Sequence, residues 1–116
     1  MKRGEIWWAD LGAHRHREQT GRRPVVVWQS DALTSVLQSV LVVPLTTNME
    51  RARLAGTALI AATDIGPASD SVALTFQMRA IPKAALDTFV RALTEAELTE
   101  LELATDEALG RLDPEP

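Results

Sequence analysis

Cysteine is absent from the 116 residues. That removes a disulfide framework, a thiolate zinc site and a cysteine nucleophile together. Missing too is any apolar run near the ~20 residues that a bilayer-spanning helix needs. The N-terminus, Met1-Lys2-Arg3-Gly4-Glu5, meets an acid at once and leads into a strand-like segment, which is not the pattern of a signal peptide. No G-x-S-x-G, Walker or dinucleotide fingerprint occurs, and there are no repeats or low-complexity tracts. The expectation is a soluble cytoplasmic protein of one domain, residues 1–116, with 113–116 a frayed tail.

What is present is an ordinary globular composition, 46% hydrophobic and 24% charged, sufficient for a buried core. The net charge of −4 hides an asymmetry. Residues 1–60 hold eight Lys and Arg against five acids, and residues 61–116 hold four against eleven. Seven of those eight N-terminal cations are arginine, the side chain suited to bidentate phosphate contact. A basic face with an acidic back still attracts a polyanion, because binding follows local potential.

Hydrophobic patterning predicts several short strands. Glu5 to Leu11 is a β-favouring run stopped by Gly12, and Ala13 to Gly21 is a polar, basic loop. Pro24 to Gln29 is a buried strand, and Ala32 to Gln38 forms a short helix or an irregular crossing. Val40 to Leu45 is a third strand, expected to end, bulge or lie at an edge at Pro44, which has no N–H to donate. Gly56 to Ala62 is a fourth, and Ser71 to Ile81 a long fifth strand broken by Pro82. Lys83 to Leu86 reads as one helical turn, and Thr88 to Leu93 as a strand or a continued helix. Thr94 and Glu97 form a capping box opening a helix of about 18 residues, with Leu98, Leu101, Thr105, Ala108, Leu109 and Leu112 at helical spacing. Such elements suggest a small, strongly bent antiparallel sheet or barrel with the helix packed against it.

Few residues can carry chemistry. His14 and His16 lie in the basic loop with no third metal ligand in sight and with Arg15 and Arg17 opposing a cation. Arg22-Arg23 stands directly before Pro24, whose ring pushes Arg23 into an extended conformation and stiffens the entry to a strand. Thr46, one strand away, presents a hydroxyl at a neighbouring sheet end. Glu18 is either a solvated loop acid or a proton acceptor. Trp7 and Trp8 point to opposite faces of one strand, one toward the core and one toward a surface able to stack on a base or a partner.

Taken in order, five segments form one pattern: Lys2 to Leu11 (KRGEIWWADL), Glu18 to Val27 (EQTGRRPVVV), Val42 to Thr47 (VVPLTT), Asp70 to Leu74 (DSVAL) and Gln77 to Ile81 (QMRAI). The pattern resembles the MazF/PemK family of toxin endoribonucleases across residues 2–112. The resemblance implies a mainly β fold, an SH3-like barrel of five to seven strands with a C-terminal α-helix, acting as a homodimer. It implies metal-independent, cofactor-free and sequence-specific cleavage of single-stranded RNA, and a cognate antitoxin that occupies the RNA groove. The family's catalytic arginine falls on Arg23 and its catalytic threonine on Thr46, with Thr47 a one-residue rival. The loop acid falls on Glu18. Arg15, Arg17 and Arg53 are then expected on phosphates, Thr47 in the RNA site and Gln77 on a base edge.

RNA carries its own nucleophile, a 2′-hydroxyl beside the phosphorus, so deprotonation and alignment suffice to break the chain. A guanidinium keeps its proton at neutral pH, so Arg23 is a poor general base. It is assigned to charge stabilisation and protonation of the leaving oxygen, and Glu18 or water to the base. Two rivals keep the fold and change the activity: a CcdB-like poison of DNA gyrase acting by protein binding, and a non-catalytic SH3-like adaptor.

Overall fold

Strands account for most of the regular secondary structure, and their partners follow from which faces are apolar. The computed structural model describes residues 1–12 and 21–112. It contains β1 (Glu5–Asp10), β2 (Arg22–Val27), α1 (Asp31–Val36), β3 (Ser39–Thr46), β4 (Thr57–Ile60), β5 (Ser71–Leu74), β6 (Arg79–Pro82), β7 (Leu86–Ala92) and α2 (Glu95–Ala108). Short 3-10 turns lie at Met49–Arg53, Thr75–Gln77 and Lys83–Ala85. The strands form one antiparallel seven-stranded sheet in the order β4-β5-β3-β2-β1-β7, with β6 also on β3. This is the expected mainly β barrel with a C-terminal helix.

Both faces of β2 and β3 are covered, which explains their unbroken valine runs. Val26, Val43 and Leu45 join Ile6, Ile60, Leu101 and Ala104 in a core between the sheet and α2. Val25, Val27, Val40 and Val42 join Ala9, Ile81 and Leu86 in a second core. Burying one such side chain contributes about 1.5–3 kcal/mol, so the two clusters supply the main driving force for closure.

Two expectations are corrected and one is resolved. Of the outcomes expected at Pro44 the structure has the edge, open on one side, and the strand continues to Thr46. On one side β3 pairs β6 through Ser39–Val42 and then β5 through Leu45 and Thr46, so that ladder has a gap at Val43 and Pro44 which suits a residue without an N–H. The single fifth strand is two. Thr75 turns the chain between them, its hydroxyl donating to Gly56 O at 2.7 Å, and β5 and β6 both pair β3 on either side of that turn. The terminal helix spans 14 residues, not about 18. Gly110, at φ +73°, takes the left-handed conformation that ends helices, leaving Leu109 and Leu112 outside the core. The undecided segment after Leu86 is a strand, fixed by pairing with β1.

The capping box is present: Thr94 Oγ1 accepts from Glu97 N–H, and Glu97 accepts in turn from Thr94 N–H at 2.9 Å. Glu97 does more. Both of its oxygens receive the Arg91 guanidinium, at 2.8 and 3.0 Å. Arg91 is 6% exposed, and its remaining hydrogen bonds go to Gly66 O, Ala92 O and Ala61 O. Five bonds use all five donors, the condition under which a buried guanidinium is tolerated.

Burial pushes the Glu97 carboxyl upward, but the bonds from Arg91, Thr94 N–H and Ala61 N–H, with the Arg91 charge, outweigh it and hold it at about 2. A carboxylate held below its ordinary value contributes stability that is fully present above about pH 4.5 and is lost as pH falls toward 2. Urea unfolding between pH 5 and 2 is therefore expected to show a decline that Glu97→Gln flattens. Equal slopes for the two proteins would contradict this origin.

Candidate active site

The site is built at the ends of β2 and β3. Val25, Val26 and Val27 lie opposite Pro44, Val43 and Val42. Carried two residues toward the start of β2, the same register sets Arg23 across from Thr46. On the far side Arg23 pairs with Ala9 of β1, and Thr46 with Val72 of β5. Residues opposite one another in an antiparallel pair share a face, so chain positions far apart in sequence converge at one sheet end.

The two threonines differ. Thr46 is 7% exposed, and its Oγ1 accepts from Asn48 N–H at 3.2 Å. A hydroxyl used as an acceptor keeps its own proton to give. Thr47 is exposed and borders a hollow of about 270 Å³ together with Trp8, Arg22, Arg23, Pro24 and the 67–69 stretch. Ser71 completes that lining. Arg23, half-buried, thus shares the hollow with Thr47, while Thr46 lies at the level of Arg23 only by extension of the register.

Arg22, beside Arg23, has a different task. Its guanidinium lies over the Trp8 ring, 4.6 Å from the centroid, and forms a fork on Asp87 with bonds of 3.0 and 2.7 Å. The hydrogen bond to Asp87 raises the Arg22 pKa, and the bonds from Arg22 and Thr88 lower that of Asp87. No local signal in the sequence announces this pair, because the partners are 65 residues apart. The first Arg of the chain, Arg3, is similarly engaged, 3.9 Å from the centroid of the Trp28 ring. Much of the N-terminal cationic surplus is therefore stacked on tryptophan.

Of the remaining predicted site residues, Arg53 is exposed at the end of the Met49–Arg53 turn, and Gln77 is half-buried in the Thr75–Gln77 turn. Neither lines the hollow. Arg15, Arg17 and Glu18, like His14 and His16, lie outside the described residues. The root of their segment is defined: Leu11 N–H donates to Gly21 O and Gly21 N–H to Gly12 O, both at 2.8 Å, so the chain leaves and returns beside Arg22. Gly12 and Gly21, at φ +72° and +73°, allow that pinch. Sequence reading missed Pro67, Ala68, Ser69 and Ser71 beside Arg23 and Asp87 beside Arg22, since nothing in those residue types marks a site.

Fold and site together define a small β-barrel with a cationic sheet end, where Arg22, Arg23 and Thr47 border one hollow. Residues 2–109 match the model of the PemK-like, MazF-like toxin of type II toxin–antitoxin systems, and the chain belongs to that family. It is 31% identical to the endoribonuclease MazF of Staphylococcus epidermidis over 95% of this chain and 92% of the relative. It is also 31% identical to the endoribonuclease EndoA of Bacillus subtilis, over 97% of each. Among solved structures, a mycobacterial endoribonuclease in complex with its cognate antitoxin superposes with a TM-score of 0.78 at 22% identity, covering 100% of this chain and 99% of that one. MazF from Deinococcus radiodurans gives 0.79 at 19%, covering 95% and 96%. These two share the fold. The curated relatives are endoribonucleases, which favours RNA cleavage over a gyrase poison or an adaptor.

Because Thr46 satisfies a backbone N–H and Thr47 borders a cavity, their removal separates in stability. Thr46→Val is expected to cost about 1 kcal/mol in urea unfolding, and Thr47→Val less than about 0.5. Equal costs would mean that the Asn48 bond contributes nothing.

Proposed function

We propose that this MazF-like endoribonuclease toxin cuts single-stranded RNA at a short sequence without a metal ion, with Arg23 and Thr46 as catalytic residues. The 2′-hydroxyl attacks the adjacent phosphorus, its proton passing to Glu18 or to water. The bond to the 5′-oxygen breaks, that oxygen takes up a proton from Arg23, and the products carry a 2′,3′-cyclic phosphate and a 5′-hydroxyl. Negative charge gathers on the non-bridging oxygens in the transition state, where the Arg23 guanidinium and the Thr46 hydroxyl proton offset it. The observation that supports this assignment is the β2–β3 register, which, continued two residues past the Val25–Pro44 pair, brings Arg23 and Thr46 to the same level of one sheet end. Thr47 on the hollow wall, with Arg15, Arg17, Arg53 and Gln77, contributes contacts along the strand.

The protein acts as a homodimer in the cytoplasm, and a cognate antitoxin silences it by filling the RNA groove. The solved mycobacterial relative in complex with its antitoxin supports that partner. Among the described residues no helix is long and apolar enough to cross a membrane.

Purified protein in excess chelator is expected to cleave a long unstructured RNA at discrete sites, leaving 5′-hydroxyl ends. A 2′-deoxy substitution at the cleaved nucleotide stops the reaction. Arg23→Ala lowers the rate by about 10²–10³-fold, the usual effect of removing a donor to a developing oxyanion. Wild-type rates in Arg23→Ala, or cleavage that requires added metal, would refute the mechanism.

A second measurement concerns Arg22. Asp87→Asn releases its guanidinium from the carboxylate fork, so binding to a non-cleavable oligonucleotide should become more salt-dependent. The slope of log K against log salt is expected to steepen by roughly 0.7 for one added phosphate contact on a single strand. An unchanged slope would show that Arg22 stays on Trp8 without its acid.

A further inference from the structure

We infer that Arg91 and Glu97 are positioning residues for RNA cleavage: through the segment 61–70 they set one wall of the hollow beside Arg23, and with it the register in which a substrate lies. The inference rests on the reading that this hollow belongs to the RNA site.

The segment joins β4 to β5, and its own bonds give it a fixed shape. Ala62 N–H donates to Asp70 Oδ1 at 2.8 Å, Gly66 N–H to Thr63 O at 3.0 Å, and Thr63 Oγ1 to Gly66 O at 2.7 Å. Those contacts shape the segment without saying where it stands. Its placement comes from β7 and α2. Arg91 donates to Ala61 O at 3.0 Å and to Gly66 O at 2.8 Å, and Glu97 accepts from Ala61 N–H at 3.2 Å. Gly66, at φ +108°, lies so near β7 that a Cβ there would stand 2.7 Å from Val90 Cγ1. One guanidinium thus holds both the beginning and the middle of the segment. The next residues, Pro67, Ala68 and Ser69, face Arg23 and Thr47 across the hollow.

The segment carries no cation, and its charged members are Asp64 and Asp70. It therefore adds shape and exclusion to the site, not phosphate affinity. A wall that moves while the cationic side remains fixed changes which nucleotides fit beside the scissile bond, so loss of Arg91 acts on substrate choice before it acts on chemistry. Lysine at 91 keeps the charge but has one nitrogen, which cannot span two Glu97 oxygens and three carbonyls.

The test compares wild type, Arg91→Lys, Glu97→Gln and a core variant, Leu101→Ala, on one long unstructured RNA. It is run where circular dichroism shows each protein fully folded, with cleavage sites mapped by primer extension. Leu101 is fully buried in the core under α2, so its truncation reports destabilisation away from the wall. Arg91→Lys and Glu97→Gln are expected to raise KM about tenfold, to retain kcat within about twofold, and to cut at additional sites. Leu101→Ala keeps the wild-type pattern. Either polar variant cleaving with wild-type KM and wild-type sites overturns the inference and leaves the nuclease reading intact. An inert wild type overturns both. Should Arg91→Lys fail to fold, Glu97→Gln alone decides, since it preserves side-chain size.

Discussion

A guanidinium without access to water is tolerable only when every N–H has an acceptor, and Arg91 meets that condition by collecting partners from four places. Its carboxylate, Glu97, is at the same time the third residue of the α2 capping box. One ion pair therefore joins the last strand, the start of the terminal helix and the segment beside the candidate site. Breaking it leaves a buried charge uncompensated, which costs far more than the pair contributes over an apolar substitute. The start of α2 and the wall beside Arg23 are consequently not independent features.

Strand β3 plays the complementary part in the sheet. It takes β2 along one side, and β6 and then β5 along the other, with Pro44 at the changeover. Because its last residues are held by β5, the strand reaches Thr46 and brings a hydroxyl to the level of Arg23. Had it stopped at the proline, the sheet end would carry cations without a hydroxyl facing them. The same economy appears at the N-terminus, where Arg3 and Arg22 lie over Trp28 and Trp8 and act as structural cations. A guanidinium stacks and forks at once, so two arginines adjacent in sequence serve different ends.

Much of the fold was legible. The valine runs, the Thr94–Glu97 box and the glycine stops each depend on neighbours in sequence, and each lies where local chemistry required. The differences have two sources. Splitting of the 71–81 run and the course of β3 past Pro44 were decided by partners elsewhere in the chain, whereas α2 ends locally, at the left-handed Gly110. For the site, the ordered motifs nominated Arg23, Thr46 and Thr47, of which Arg23 and Thr47 border one hollow. Asp87, Ser71 and the 67–69 stretch were not nominated, since an aspartate, two serines, an alanine and a proline have no distinguishing spacing.

By itself the sequence determined the residue chemistry and the local conformations: which segments are extended, where a helix begins, and which side chains can offer a proton or a positive charge. Those properties are set within a few bonds, by backbone sterics and by the alternation of apolar residues. Tertiary structure alone decided that Arg22 is spent on tryptophan and aspartate, that Arg23 and Thr47 border one hollow, and what else lines it. Such choices depend on pairing between residues tens of positions apart, and only closure of the sheet brings them within hydrogen-bond range.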